Sequence, residues 1–326
     1  MDNEKKWFPC ELHCHTVHSD GDFTVETLLQ TARERGLDGI CLTDHNTTSG
    51  WAEIPTDSTP AVLRGIEWTT YFGHMPVLDC REYVDWRDAT PENIDEKLRS
   101  VHEHGGICGM AHPYQIGTPI CTGGYWEFQV KAYNLIDYIE VWAEGAPYYN
   151  AANSRAQKKW QFLLDAGYRI APTMGRDWHR PTKNMYPMAC TYLLCPDGTL
   201  TPEKMKTAIK NGRTSVCVGP LFYFETASGD TVGDTVPTGA TELRFTLDDT
   251  RYRACKPENQ FTPREIRLLS NGGAEILRLP VAAGEKTCTA TVNFETKHWY
   301  RAELWGDTDG NPNTQLALTA AIYTEE

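Results

Sequence analysis

Short apolar runs alternate with amphipathic stretches along the first two thirds of the chain. Runs with the length and β-branched content of strands are PCELHCH, GICLTDH, AVLRGIEW, HMPVLDC, GICGMAHP, YIEVWAE, RIAPTMG, MACTYLLC and SVCVG. Helical spacing of apolar residues lies between several of them, over residues 24–36, 90–105, 153–166 and 202–210. Strands that alternate with helices indicate a parallel α/β sheet or barrel.

Capping signals support the helix assignments. The apolar positions of the first predicted helix fall on one face: Val25, Leu28, Leu29 and Ala32. Thr24 is suited to cap that helix and Gly36 to end it. The second helix is predicted to open at Thr90–Pro91, with proline in its first turn, and to close at Gly105.

The pattern changes after residue 220. Seven runs then alternate apolar and polar residues without helical stripes between them: FYFETA, ELRFTLDD, EIRLLSN, AEILRLPV, TCTATVNF, WYRAELWG and LALTAAIY. Asn271–Gly272 has the composition of a hairpin turn. We therefore expect an α/β domain over residues 1–220 and a small antiparallel β-sandwich over residues 221–326.

Composition and charge mainly exclude functions. The 326 residues carry a formal charge of −13, which argues against a nucleic-acid-coating surface. An anionic substrate stays compatible with this charge, because bound cations would reverse the local field. No run approaches the roughly 18 apolar residues of a membrane span, and the N-terminus lacks the apolar stretch of a signal peptide. Eleven cysteines without a CxxC pair are typical of reduced thiols in a cytoplasmic protein.

Histidines and carboxylates gather where the predicted strands end. Nine of them are candidate metal ligands: His13, His15, Asp20, His45, Glu67, His74, His112, Asp177 and His179. Residues i and i+2 of a strand share a face, so His13 and His15 aim together, as do Asp177 and His179 if that segment is extended. Ends of parallel strands meet at one rim, and only His74 precedes its apolar run. Imidazoles and carboxylates suit Zn, Mn or Fe, and a carboxylate can bridge two ions.

The combination of motifs resembles a known family. The motifs are HCHTVHSDG (13–21), TDHN (43–46), GIEWTTYFGH (65–74), AHP (111–113), IEVW (139–142) and GRDWH (175–179). They resemble the PHP (polymerase and histidinol phosphatase) family of metal-dependent hydrolases, and within it the CehA/McbA-type branch. The resemblance spans about residues 7–220 and implies a distorted (β/α)7 barrel, and the tail resembles the β-rich appendage of that branch. Amidohydrolases also open with HxH, but the TDHN, AHP and GxDxH set favours PHP.

The resemblance implies up to three metals and a role for each ligand. The first metal would be held by His13, His15, Glu67 and Asp177. Glu67 would bridge to a second, completed by His74 and His112. A third would be held by Asp20, His45 and His179. Many relatives carry histidine near Asp20, so oxygen ligation here would make the third metal more labile. Glu140 of the IEVW motif is expected to support the site without ligating a metal.

Two residues are candidates for catalysis beside the metals. His18 is placed to protonate a leaving group, and Arg176 to grip a phosphate, with Arg180 and Lys183 as further cations nearby. The alternative for each is a neighbouring or solvated side chain without a catalytic role. Asp44 is expected either to orient a ligand histidine or to cap a turn.

These features favour a metal-dependent phosphoesterase. Two or three divalent ions would activate a bridging hydroxide against a small phosphomonoester or phosphodiester. The first alternative is an amide, carbamate or ester hydrolase with the same metal centre, supported by nearby aromatic residues. The second is a non-catalytic, metal-stabilised module whose sandwich binds a partner or glycan. Residues 114–135, rich in glycine and aromatics, form either a substrate-facing lid or a surface insertion. The oligomeric state stays open.

Overall fold

The computed structural model describes residues 5–117, 123–147, 150–181, 189–218, 220–249, 261–308 and 310–325. The α-helices in these ranges are α1 (Val25–Glu34), α2 (Ile94–Glu103), α3 (Ala151–Asp165) and α4 (Pro202–Lys210). Strands of the first part are β1 (Lys6–Cys14), β2 (Gly39–Leu42), β3 (Ala61–Thr70), β4 (Gly73–Leu78), β5 (Ile107–Met110), β6 (Tyr138–Ala143), β7 (Ala171–Gly175), β8 (Ala189–Cys195) and β9 (Thr214–Val218). The remaining strands are β10 (Leu221–Thr226), β11 (Thr235–Val236), β12 (Gly239–Asp248), β13 (Thr262–Ser270), β14 (Ala274–Pro280), β15 (Thr287–Phe294), β16 (Trp299–Thr308), β17 (Asn311–Thr319) and β18 (Ile322–Thr324).

The first part is a mixed α/β structure and not a purely parallel one. β1, β2 and β3 are parallel neighbours, and so are β5, β6 and β7. Between these two sets, β4 is antiparallel to both β3 and β5. β8 is antiparallel to β1 and to β9. The expectation of a parallel sheet is therefore wrong for these four strand pairs, which involve β4 and β8, although β1–β3 and β5–β7 all run in one direction.

The helices pack against the rest of the protein through single apolar faces. In α1 the predicted apolar positions are the buried ones, and Thr24 accepts a hydrogen bond from the backbone N–H of Thr27. α2 begins later than expected, at Ile94. The backbone N–H of Thr90 donates to the Asn93 side chain, and the Asn93 N–H donates to the Thr90 hydroxyl. These reciprocal bonds close a turn before the helix, so Pro91 lies in that turn.

The part after residue 220 contains β-strands in two sheets. β10, β12 and β15 form a three-stranded antiparallel sheet, whereas β13, β14, β16, β17 and β18 belong to the larger sheet. Apolar residues from both sheets share one core, for example Phe245 of β12 and Leu304 of β16. The LALTAAIY run divides into β17 and β18 around Ala320 and Ala321, and the two-residue β11 lies outside all predicted runs. The described chain therefore has nine strands here where the alternation predicted seven. The description of this part as a sandwich stays a prediction.

Hydrogen bonds link the two parts of the chain. β17 is antiparallel to β9, with Leu318 opposite Val216, and the described residues thereby form one sheet of 15 strands. The domain boundary near residue 220 stays a prediction, and it falls inside this continuous sheet. The nine cysteines that the structure describes form no disulfide with one another. Within the same ranges, no helix combines the length and apolarity needed to cross a bilayer.

Candidate metal centre

The nine candidate ligands converge on one edge of the sheet because of strand direction. His13 lies near the end of β1, Glu67 in β3, and Asp177 just after β7. A parallel bridge between Cys14 and Trp178 brings the end of β7 next to the end of β1. His74 lies at the start of β4, and the antiparallel hairpin with β3 puts that start at the same edge, with His74 opposite Thr69. The antiparallel direction of β4 thus accounts for the one ligand that precedes its apolar run.

The backbone conformation at Asp177 differs from the extended strand that the sequence predicts. Its φ is +55°, in the left-handed region, so the segment 177–179 is not an extended strand. The alternation argument for Asp177 and His179 therefore does not apply. The His179 ring instead lies against the Asp177 backbone, with Nδ1 2.8 Å from the carbonyl oxygen. His112 also has a positive φ, +27°, so two of the candidate ligands lie on strained backbone.

The side chains form three overlapping groups, in each of which the candidate ligand atoms lie within 4.8 Å of one another. The groups are His13, His15, Glu67 and Asp177; Glu67, His74 and His112; and His15, Asp20, His45 and His179. Glu67 belongs to the first two groups and His15 to the first and third. These sets match the three ligand sets that the resemblance implies, with His15 added to the third. Whether they bind metal stays a prediction.

The two oxygens of Glu67 face different groups. Oε1 lies 3.2 Å from His74 Nδ1 and 3.4 Å from His112 Nε2. Oε2 lies 3.3 Å from His13 Nε2 and 2.7 Å from His45 Nδ1. This division of one carboxylate between two sets of imidazoles is the arrangement needed to bridge two cations.

Burial decreases from the second group to the third. His74 and His112 are 1% and 4% exposed, whereas the side chains of His45, His179 and Asp20 are 19%, 24% and 62% exposed. His179 Nε2 lies 3.0 Å from Asp20 Oδ1, and His45 Nε2 lies 3.4 Å from the same oxygen. The third group therefore faces solvent, and the second is closed off from it.

The donor atoms fit divalent cations. Several buried ligand atoms lie close to other ligand atoms but have no hydrogen bond of good geometry with any group that the structure describes: Nε2 of His13 and His15, both carboxylate oxygens of Glu67, and Oδ1 of Asp177. Leaving such atoms without partners inside a protein is costly, and a shared cation is the usual compensation. All nine side chains offer nitrogen or oxygen donors suited to Zn, Mn or Fe.

The electrostatics of the cluster lead to the same conclusion. Burial opposes protonation of His13, but the carboxylates of Glu67, Glu140 and Asp177 outweigh it and raise the pKa of His13 well above its ordinary value. Burial also opposes protonation of His112, and the nearby carboxylates raise its pKa to about 9. Negative charge this dense needs positive charge beside it, which protons or metal ions can supply.

A buried carboxylate behind the ligands orients two of them. Glu140 on β6 accepts a hydrogen bond from His13 Nδ1 (2.8 Å) through Oε1 and from the His112 backbone N–H (2.8 Å) through Oε2. With Nδ1 as the donor, the neutral form of the His13 ring presents an unprotonated Nε2 to the cluster, as metal binding requires. Gly175 leaves room for this carboxylate, because a Cβ at that position would overlap Glu140 Oε1. The supporting role expected for Glu140 agrees with these contacts.

Glu11 was missed by the sequence analysis. Its Oε1 accepts hydrogen bonds from the backbone N–H groups of His13 (3.1 Å) and Arg176 (2.8 Å), which ties β1 to the end of β7. Burial raises the pKa of Glu11 to about 7, although these bonds oppose the shift. The strand pattern could have indicated this role, because a residue two positions before His13 on the same strand points to the same face as His13.

Asp44 organises the loop that carries Asp20. Its carboxylate accepts hydrogen bonds from the Thr16 backbone N–H (2.7 Å), the Thr16 hydroxyl (2.8 Å) and the Ser19 hydroxyl (2.8 Å). Of the two roles expected for Asp44, these contacts favour the structural cap. The loop between β1 and α1 is thereby fixed to the end of β2, which positions Asp20 opposite His45 and His179.

The two candidate catalytic residues have partners outside the ligand set. His18 contacts Ser49 Oγ through Nδ1 (2.8 Å) and Glu53 Oε1 through Nε2 (2.9 Å). Arg176 is 4% exposed, with its guanidinium carbon 5.8 Å from the centre of the Trp178 ring. Their catalytic roles stay predictions. Arg180 lies at the surface, with Nε 3.5 Å from Asp22, and Lys183 is outside the described residues.

The predicted excursion after His112 is described in part. Tyr114 and Tyr125 form an antiparallel bridge, and their rings lie edge to face at 5.7 Å. Arg155 of α3 covers this pair, donating from Nη2 to the Tyr125 hydroxyl (3.2 Å). Residues 118–122 of the excursion lie outside the described ranges. Its role as lid or insertion stays open.

Comparison with known proteins agrees with the geometry. The family profile of the PHP domain matches residues 11–103. An uncharacterized protein of Methanocaldococcus jannaschii is 31% identical over 125 residues, which are 34% of this chain and 69% of that protein. The phosphoribosyl 1,2-cyclic phosphate 1,2-diphosphodiesterase of Eggerthella lenta is 36% identical over 64 residues, covering 19% of this chain and 24% of that enzyme.

A solved structure from Bacteroides vulgatus shares the fold along nearly the whole chain. It is described as a two-domain protein containing a predicted PHP-like metal-dependent phosphoesterase, and it is 16% identical with a TM-score of 0.50. The alignment covers 99% of this chain and 96% of that one. The chain therefore belongs to the PHP domain family, as the motifs indicated. The CehA/McbA branch stays a prediction.

Proposed function

We propose that the protein is a metal-dependent phosphoesterase that hydrolyses a small phosphomonoester or phosphodiester. The observation that carries the proposal is the Glu67 carboxylate, whose two oxygens face separate groups of buried imidazoles. Two or three divalent ions of Zn, Mn or Fe held by the nine ligands would supply Lewis acidity and an activated water. The relatives named phosphoesterase or diphosphodiesterase support this reaction class.

The residues of the chain would prepare the site in three ways. Glu140 fixes the tautomer of His13 so that Nε2 is ready to bind a cation. The exposure of Asp20, His45 and His179 makes the third group the entrance for substrate. The buried group of Glu67, His74 and His112 excludes water from the side of the site opposite this entrance, and the low dielectric strengthens charge interactions there.

Arg176 and His18 are proposed to assist at the phosphoryl charge and the leaving group. Arg176 lies against the Trp178 ring, and His18 contacts Ser49 and Glu53. If Arg176 contacts the phosphoryl group, Arg176→Met lowers kcat at unchanged metal content. If it only packs, the same change lowers the melting temperature instead.

The test is hydrolysis by protein reconstituted with Mn, Fe or Zn. The panel holds a phosphomonoester, a phosphodiester, an aryl ester and an aryl carbamate. Asp177→Asn removes a ligand charge at constant shape, and Asp22→Asn changes an exposed acid outside the ligand set as the matched control. Phosphoester turnover lost only in Asp177→Asn supports the proposal. Turnover confined to the carbonyl substrates refutes it.

An amide, carbamate or ester hydrolase is the second candidate. Aromatic side chains near the ligands favour it: Tyr71, four residues after Glu67, is 75% exposed, and Tyr125, bridged to Tyr114, is 38% exposed. Such surfaces suit an apolar substrate. Activity that is lost in Glu67→Gln but unchanged in Arg176→Met and Arg180→Gln would favour this candidate over the first.

A further inference from the structure

A cleft that none of the candidate metal ligands lines lies between α3 and the strands β16 and β17. Its volume is about 380 Å³, within the range of small-molecule sites. Gln157 and Lys158 of α3 line one side, and Arg301, Glu303 and Gln315 line the other. The cleft therefore joins residues from both sides of the expected domain boundary.

A buried ion pair forms one wall of the cleft. Arg301 and Glu303 are 3% and 5% exposed, and Arg301 Nη1 donates to Glu303 Oε1 at 2.6 Å. Trp305 Nε1 donates to the other Glu303 oxygen at 2.7 Å. The three residues share one face of β16, because they alternate with Ala302 and Leu304 of the core. The strand thus presents a fixed polar row to the cleft.

This row has hydrogen-bonding capacity that the protein does not use. The Arg301 Nε is buried and has no hydrogen-bond partner among the described residues. Gln315 is 5% exposed and Gln157 is half-buried, and both side chains line the cleft. A buried guanidinium N–H normally finds a hydrogen-bond partner, so this wall is prepared for a polar occupant.

The charge of the cleft sets the kind of occupant. Lys158 and Arg301 contribute two positive charges and Glu303 one negative charge, which leaves a net charge of +1 in a chain of −13. A singly charged anion is therefore favoured here. Amide groups both donate and accept, which suits hydroxyl groups, and the guanidinium suits a carboxylate.

We propose that this cleft binds a small acidic sugar, whose carboxylate contacts Arg301 and Lys158 and whose hydroxyls contact Gln157 and Gln315. The sugar is a ligand and not the substrate of the metal centre. The ion pair and Trp305 hold Arg301 in place for it. The site is independent of the proposed hydrolysis.

The test uses the full chain and isothermal titration with D-glucuronate, D-galacturonate and N-acetylneuraminate, each beside neutral D-glucose and D-galactose. Binding of an acid but not of the neutral sugars is expected. Lys158→Met and Gln157→Ala should each weaken it about tenfold, the loss of one good hydrogen bond. Both positions are on the helix surface, so folding should persist, and Lys131→Met is the matched control.

Three outcomes would overturn the proposal. One is no binding of any acidic sugar, and another is equal affinity for acidic and neutral sugars. The third is binding that neither Lys158→Met nor Gln157→Ala changes, since the sugar would then occupy another place. Phosphoester turnover measured on the same variants is expected to equal that of the unaltered protein, which separates this test from that of the metal centre.

Discussion

Replacing Glu140 by glutamine exchanges one carboxylate oxygen for an amide nitrogen at nearly constant volume. The amide oxygen can still accept the hydrogen bond from the His112 backbone N–H. The amide nitrogen then faces His13 Nδ1 and can only donate to it. The His13 proton must therefore move to Nε2, the atom that points toward Glu67 and Asp177. A protonated Nε2 cannot bind a cation.

The expected loss follows from these contacts. Of the two 2.8 Å hydrogen bonds to Glu140, one is kept and one is reversed. Substitutions behind a ligand histidine typically lower metal affinity about 10–100-fold, or about 1.4–2.7 kcal/mol. We expect this weakening for the group that contains His13. The third group does not contain His13 and should retain its affinity.

The assay is competitive titration of Zn or Mn against a chromophoric chelator, with nitrogen-15 NMR of the histidine rings to report the tautomer. Glu11→Gln is the matched control, because one Glu11 oxygen accepts both of its backbone hydrogen bonds and an amide oxygen can do the same. Unchanged affinity in Glu140→Gln, or an equal loss in Glu11→Gln, would refute the tautomer argument.

Three further predictions concern packing, capping and pH. Gly175→Ala should displace the Glu140 carboxylate and lower metal affinity without removing a ligand, as titration would show. Thr24→Ala should lower the free energy of unfolding by about 1 kcal/mol in urea titration, because α1 loses its cap. The ion pair with Asp137 raises the pKa of His102. Its stabilisation is complete below the unfolded pKa of about 6.5 and is lost as pH rises through the folded value. His102→Asn should therefore lower the melting temperature at pH 6 more than at pH 9.

Local patterns predicted the helices and the common edge of the ligands. The stripe of α1 and the pairing of His13 with His15 depend on spacing alone, which the sequence displays directly. Strand direction is different, because β4 has the same apolar pattern whether it is parallel or antiparallel. The hint was the separation of two residues between Thr70 and Gly73, which suits a hairpin and not a helical crossover.

Contacts between residues far apart along the chain could not be predicted from the sequence. Glu11 binds the backbone at Arg176, 165 positions later, and no periodicity reports such a bond. The left-handed backbone at Asp177 is equally hidden, since aspartate occurs in many conformations. The free energy that holds Asp177 there comes from the surrounding fold, which local propensity does not contain.

The pairing of β9 with β17 affects how the chain can be cut. Removing residues 221–326 would leave β9 as an unpaired edge strand, because the backbone groups of Thr214 and Val216 would lose their partners in and next to β17. Exposed edges of this kind recruit strands from other molecules, so the shortened protein would tend to self-associate. It would also uncover apolar side chains that now meet Phe222 and Leu304. A protein truncated at residue 220 would therefore aggregate, and this would obscure any measurement of its catalytic activity.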